Sequence, residues 1–183
     1  MVAAAATIAG AVDVSGTDWH KARLNFGLVA VSTILVALIT EEGFFRGWLW
    51  ASLGRAGQGE GGRLVLSSLA FSLWHLSAVS LKTGFDLPAA QIPVFMANAA
   101  MMGAVWGLLR LVSRSIVVSS VSHGLWNGLA YVFFGFGTKV GALGVKQTAL
   151  YGPEVGVLGL ALNVVVATAL WQLWRSGRSP AKR

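Results

Sequence analysis

Five long apolar windows set what this chain can fold into: residues 24–53, 64–80, 92–111, 116–136 and 155–174. A helix needs about 20 mostly apolar residues to cross about 30 Å of hydrocarbon. Inside lipid every backbone N–H and C=O must also be paired within the span or within a closed barrel. Windows of this length meet that demand as helices, so the expected fold is all-α, a polytopic transmembrane helical bundle of about five spanning helices. The second window is short and near the lower limit. Composition agrees: 55% of the 183 residues are hydrophobic and 11% charged, and the mean hydropathy is +0.68, whereas a soluble domain carries about a quarter charged residues. With no internal repeat and no long low-complexity linker, 1–183 reads as a single integral membrane domain. Its motif-bearing core covers about 24–136 and its last span about 155–174.

The net charge of +7 invites a nucleic-acid reading, which its placement excludes. Arg55, Arg63, Arg110, Arg114, Arg175, Arg178, Lys182 and Arg183 fall in the loops and tail on one side of a five-span bundle. Lys21, Arg23, Lys82, Lys139 and Lys146 fall on the other. An excess of Lys and Arg marks cytoplasmic loops, so the C-terminus is expected in the cytoplasm. No cysteine is present, which leaves no disulfide framework or thiolate metal site. "MVAAAATIAGAV" lacks a basic n-region and is too short to span; it is expected as a peripheral or re-entrant piece, or as the end of a longer helix. The segment 137–154 reads as a partly ordered surface loop or a short amphipathic piece.

Within the bundle, Gly43/Gly47, Gly103/Gly107 and Gly124/Gly128 are small-xxx-small pairs expected at close helix contacts, and Asn98 and Asn163 are expected as interhelical hydrogen-bonding residues. Trp48 and Trp50, like Trp171 and Trp174, resemble an interfacial belt. Trp106 and Arg110, four apart, suit either a cation–π contact or interfacial anchoring.

The costly feature is "TEEGFFRGWLW", residues 40–50. An ionised Asp, Lys or Arg at a helix centre costs roughly 2.5–3.5 kcal/mol on the insertion scale, while each Leu, Ile, Val or Phe returns only about 0.3–0.6. Glu42 and Arg46 stand at i,i+4 and can pair, but Glu41 points about a quarter turn away, without a local counter-ion. An unpaired carboxylate at membrane depth is a candidate functional group. The polar groups available to meet it are His75, with Phe71 four residues earlier, and His123, with Asn127 four residues later. Taken singly, each has a structural reading: an imidazole or carboxamide as helix–helix glue, and Glu42–Arg46 as an internal ion pair. Taken together, a carboxylate, two imidazoles and a carboxamide form an inventory for hydrolysis. His20, outside the windows, reads as interface surface.

In order, Glu41-Glu42-Gly-Phe-Phe-Arg46, Phe71-Ser-Leu-Trp-His75 and His123-Gly-Leu-Trp-Asn127 resemble the EExxxR, FxxxH and HxxxN motifs of the CPBP intramembrane protease family. That family includes the type II CAAX prenyl endopeptidases and bacteriocin-processing or immunity-related proteins. The resemblance implies a helical bundle whose active site is Glu41, His75, His123 and Asn127, with Glu42, Arg46 and Phe71 in support. Its members commonly carry more membrane segments before the first motif than the single run here. The expected mechanism has Glu41 and His75 activating a water and His123 and Asn127 stabilising the oxyanion. No cofactor is expected. The alternative is zinc held by Glu41, His75 and His123, one oxygen and two nitrogen ligands, against which stand the lack of HExxH and the poor ligand quality of Asn127. The expected partners are a membrane-associated protein or peptide substrate, with prenylated CAAX tails one class, and the lipid bilayer; no oligomeric state is specified. A catalytically silent immunity or scaffold protein and a small proton-relaying transporter are the competing classes.

Overall fold

The computed structural model describes residues 1–81, 85–137 and 139–178; Lys82, Lys182 and Arg183, used in the charge comparison, lie outside them. The chain forms α1 (Val2–Ile8), α2 (Trp19–Ile39), a π-helical segment (Glu42–Leu49), α3 (Trp50–Arg55), α4 (Glu60–Trp74), α5 (Leu76–Ser80), α6 (Ile92–Ser113) and α7 (Ile116–Leu129). A π turn (Ala130–Phe134), a short antiparallel ladder of β1 (Gly135–Phe136) with β2 (Lys139–Val140), α8 (Thr148–Tyr151) and α9 (Val157–Ser176) follow. Among the described residues four helical stretches are long and apolar enough to cross a membrane: Trp19–Arg55, Glu60–Ser80, Ala89–Ser113 and Val157–Ser176. The fold is thus an all-α membrane bundle. The fourth apolar window, 116–136, becomes α7 and its π turn, and it is a polar one: Ser119, Ser120, His123 and Asn127 are all buried.

Local chemistry sets the helix limits. Asp18 caps α2, its side chain accepting from the Lys21 N–H at 3.0 Å, and Ser115 caps α7 at the Val117 N–H, each satisfying an otherwise orphaned donor. Pro93 sits in the first turn of α6, where its missing N–H costs nothing.

Small residues decide how closely the helices meet. A Cβ on Gly124 would lie 2.4 Å from Ile34 Cγ1 and 2.7 Å from the Ala30 carbonyl oxygen of α2, and one on Gly103 would lie 2.9 Å from Ser68 Cα of α4. Both are backbone approaches that a larger residue would block. Ser120 Oγ donates to the Ile34 carbonyl at 2.7 Å across the first of these contacts. The pair Gly43/Gly47 behaves differently from expectation. Gly43 crowds the Leu38 carbonyl of its own chain and Gly47 meets nothing closer than the Glu42 carbonyl, because the π segment turns both toward their own helix.

Two aromatic expectations are also corrected. Trp48 is exposed as a belt residue would be, but Trp50 is 2% exposed, packed under the Arg110 guanidinium at 4.8 Å. Arg110 therefore pairs with Trp50 rather than Trp106, and its Nε donates to the Arg46 carbonyl. Trp50, Phe45, Leu64, Phe71, Met102 and Trp106 belong to the main core. The N-terminal segment folds back, with Val2, Ala6 and Ala11 packing on Val145 and Tyr151, so the long loop after α7 is ordered against α1.

Candidate active site

The first motif lies where α2 changes pitch. From Glu42 to Leu49 the helix is π-helical, a form rare elsewhere and frequent at functional sites. Glu42 and Arg46 are both fully buried, with Arg46 Nη1 donating to Glu42 Oε1 at 3.1 Å. Arg46 Nη2 donates to the Gly103 carbonyl at 2.9 Å, and its Cζ lies 4.5 Å from the Phe71 ring centroid. Two charges withdrawn from water need such multiple partners to persist.

Glu41 is placed differently. Its side chain is 25% exposed, and its Oε2 has no hydrogen-bond partner among the described residues. His123 Nε2 lies 3.8 Å from it. The other nitrogen of that ring, Nδ1, is 3.0 Å from Glu42 Oε1. One imidazole is therefore flanked by both glutamates, and Trp106 stacks on its face at 3.8 Å and 15°. Because Glu42 Oε1 is an acceptor, the Nδ1–H points to it, and Nε2 is the atom turned toward Glu41.

His75 occupies the break between α4 and α5. Its Nδ1 is 2.8 Å from the Phe71 carbonyl; a carbonyl only accepts, so Nδ1 carries the proton and a neutral ring keeps its lone pair on Nε2. Phe71 fills the space between the two halves of the site, 4.4 Å from His75 and 6.1 Å from His123, ring centroid to centroid. Asn127, one turn beyond His123 on α7, is buried.

Glu41, His75, His123 and Asn127 line one cavity of about 290 Å³, together with Trp106, Tyr131 and Glu154. Among the described residues no group of three or more His, Asp or Glu is arranged to hold a metal ion.

Glu154 is a cavity residue that sequence reasoning missed; it sits within the loop between α8 and α9. The turn that carries it is held from inside the bundle. Asn98 Nδ2 donates to the Pro153 and Glu154 carbonyls at 2.8 and 2.9 Å, and Asn163 Nδ2 donates to Asn98 Oδ1 at 2.9 Å. The two asparagines expected as helix–helix glue thus also fix this turn. Trp126 Nε1 donates to Glu154 Oε1 at 3.2 Å. Burial pushes the Glu154 carboxyl up to about 7; the Trp126 hydrogen bond opposes that rise and the Glu41 charge adds to it. The only sequence signal was an acid placed directly before an apolar span.

A protein-family model described as type II CAAX prenyl endopeptidase Rce1-like matches residues 23–129. No curated protein and no solved structure gives a significant match.

Proposed function

The chain belongs to the Rce1-like family of type II CAAX prenyl endopeptidases, and from that premise we propose that it hydrolyses a peptide bond of a membrane-associated, CAAX-type protein or peptide, using Glu41, His75, His123 and Asn127. The family makes a membrane-embedded protease the coarse reading. The finer one is supported by a single observation, the convergence of these four side chains on one cavity.

In the proposed reaction a water in the cavity gives a proton to the Glu41 carboxylate, which lines it. The Nε2 lone pair of His75 orients that water. The resulting hydroxide attacks the scissile carbonyl. A His123 ring carrying both protons keeps Nδ1–H on Glu42 and offers Nε2–H to the developing oxyanion, beside the Asn127 carboxamide. One such donor is worth about 10²–10³ in rate. Arg46 holds Glu42, and Glu42 holds His123, so the buried ion pair acts on the oxyanion side of the site. The set is proposed to work without a metal, since the Asn127 carboxamide suits a carbonyl oxygen better than zinc.

The test compares membrane peptides from cells carrying the wild-type chain with those from cells carrying Glu41→Gln. New termini produced by the former should vanish in the latter, with cleavage down at least ~10²-fold and unchanged unfolding in micelles. Equal cleavage by the variant would remove the proposal and leave the scaffold or transporter readings. Activity should also survive chelation; loss that zinc restores would assign the three-ligand alternative.

A further inference from the structure

Glu154 lies beyond the matched segment and has no place in the steps above, yet the bundle is built to present it. Asn98 of α6, itself held by Asn163 of α9, fixes its backbone, an indole from α7 holds its carboxyl, and it opens on the same cavity as Glu41. Among the described residues it makes no ion pair with Lys or Arg, unlike Glu42 and Glu60. A half-buried carboxyl with no cation is suited to carry a proton. The titratable groups facing it are Glu41 from the end of α2, His75 from the α4–α5 junction, His123 from α7 and Tyr131 from the π turn. On its other side Glu154, together with Phe85, also lines an outer cleft of about 760 Å³ that includes Asp13, Lys139 and Lys146. The carboxyl therefore stands between the inner cavity and the outer cleft.

We propose that Glu154 is the proton donor to the leaving amine, the second acid–base group of a peptide hydrolysis in which Glu41 is the base. The inference rests on the endopeptidase reading. Water oxygen bonds to the carbonyl carbon, one water proton passes to Glu41, and the carbonyl π pair becomes the oxyanion. As the carbonyl re-forms, the C–N bond breaks and its electron pair takes the proton of the Glu154 carboxyl, leaving an amine, an acid and a Glu154 carboxylate. The proton on Glu41 then returns through the cavity to Glu154, so both residues are restored. Burial and the Glu41 charge push this carboxyl up to about 7, so a substantial share of it carries the proton near neutral pH before water attacks.

The experiment uses the purified full chain in detergent micelles with two probes: an S-prenylated CAAX-type peptide, and an aryl ester of the same S-prenylated acyl group, whose phenolate departs without a proton. Glu154→Gln keeps an acceptor for Trp126 and should lower kcat on the peptide ~10²-fold, with KM unchanged and aryl-ester turnover close to wild type. Glu154→Asp should fall between. An equal drop on both probes, or none on the peptide, overturns the donor role. Glu41→Gln should lose both probes. If it keeps the peptide, or if the wild type cleaves neither, the endopeptidase reading fails and the donor falls with it.

Discussion

Arg46 and Glu42 are withdrawn from solvent completely, and their worth lies less in mutual attraction than in the cost of leaving either alone. Removing one partner of a buried pair typically costs about 3–5 kcal/mol. Arg46→Met should therefore lower unfolding stability in micelles by about that much, and adding Glu42→Gln should recover part of the loss, because the stranded carboxylate is gone. Glu154 gives the pH-dependent counterpart. Its carboxyl rises from 4.5 in the unfolded chain to about 7 in the fold. Below 4.5 both states hold the proton and its contribution to stability is complete. Between 4.5 and 7 the folded state keeps a proton that the unfolded state has released, so stability falls as pH rises, levelling off above 7. Thermal melts across this window should slope downward for the wild type and less so for Glu154→Gln; parallel slopes would show that this carboxyl is not the group responsible.

Among the elements, α2 and α7 carry the decisive contact. Glu41 and Glu42 continue from α2, His123 rides on α7, and Gly124 is one of the residues through which the two helices touch. A methyl at Gly124 has no room against Ile34 N or the Ala30 carbonyl, so Gly124→Ala should cost about 1–3 kcal/mol by overpacking. It should also draw the glutamates away from the imidazole, and a misplacement of about 1 Å can lower turnover ~10²-fold. Gly61→Ala, where nothing lies within 4 Å, should leave both unfolding temperature and cleavage near wild type. The motif spacing was readable in the chain because i,i+4 pairs such as Glu42/Arg46 and His123/Asn127 survive in any helix. The π segment was not. Its wider turn follows from how α2 packs, and with it goes the quarter-turn argument for Glu41, which assumed 100° per residue.

For the whole molecule, whether the number of crossings is odd or even fixes whether the two ends lie on opposite sides or on one. The stretch Trp19–Arg55 has 37 residues, roughly 55 Å of helix against about 30 Å of hydrocarbon, so it tilts or projects. The proposal that α7 is a fifth crossing, together with the excess of Lys and Arg on the C-terminal side, puts the C-terminus in the cytoplasm and the N-terminus opposite. Reporter tags at the two ends should be reached from different sides of the membrane. Both ends on one side would mean an even number of crossings and an α7 that does not span. By itself the sequence determined that the chain is a helical membrane bundle, because apolar runs of this length have no other way to pair their backbones in lipid. It also determined that Glu41, His75, His123 and Asn127 were the polar groups needing an explanation, because burying them alone is costly. Only the tertiary structure decided which partner each one has. That Glu42 reaches His123, that Trp106 stacks on it, that Arg110 covers Trp50, and that Asn98 and Asn163 hold Glu154 over the cavity all depend on distances between helices, and those are set by side-chain packing far along the chain.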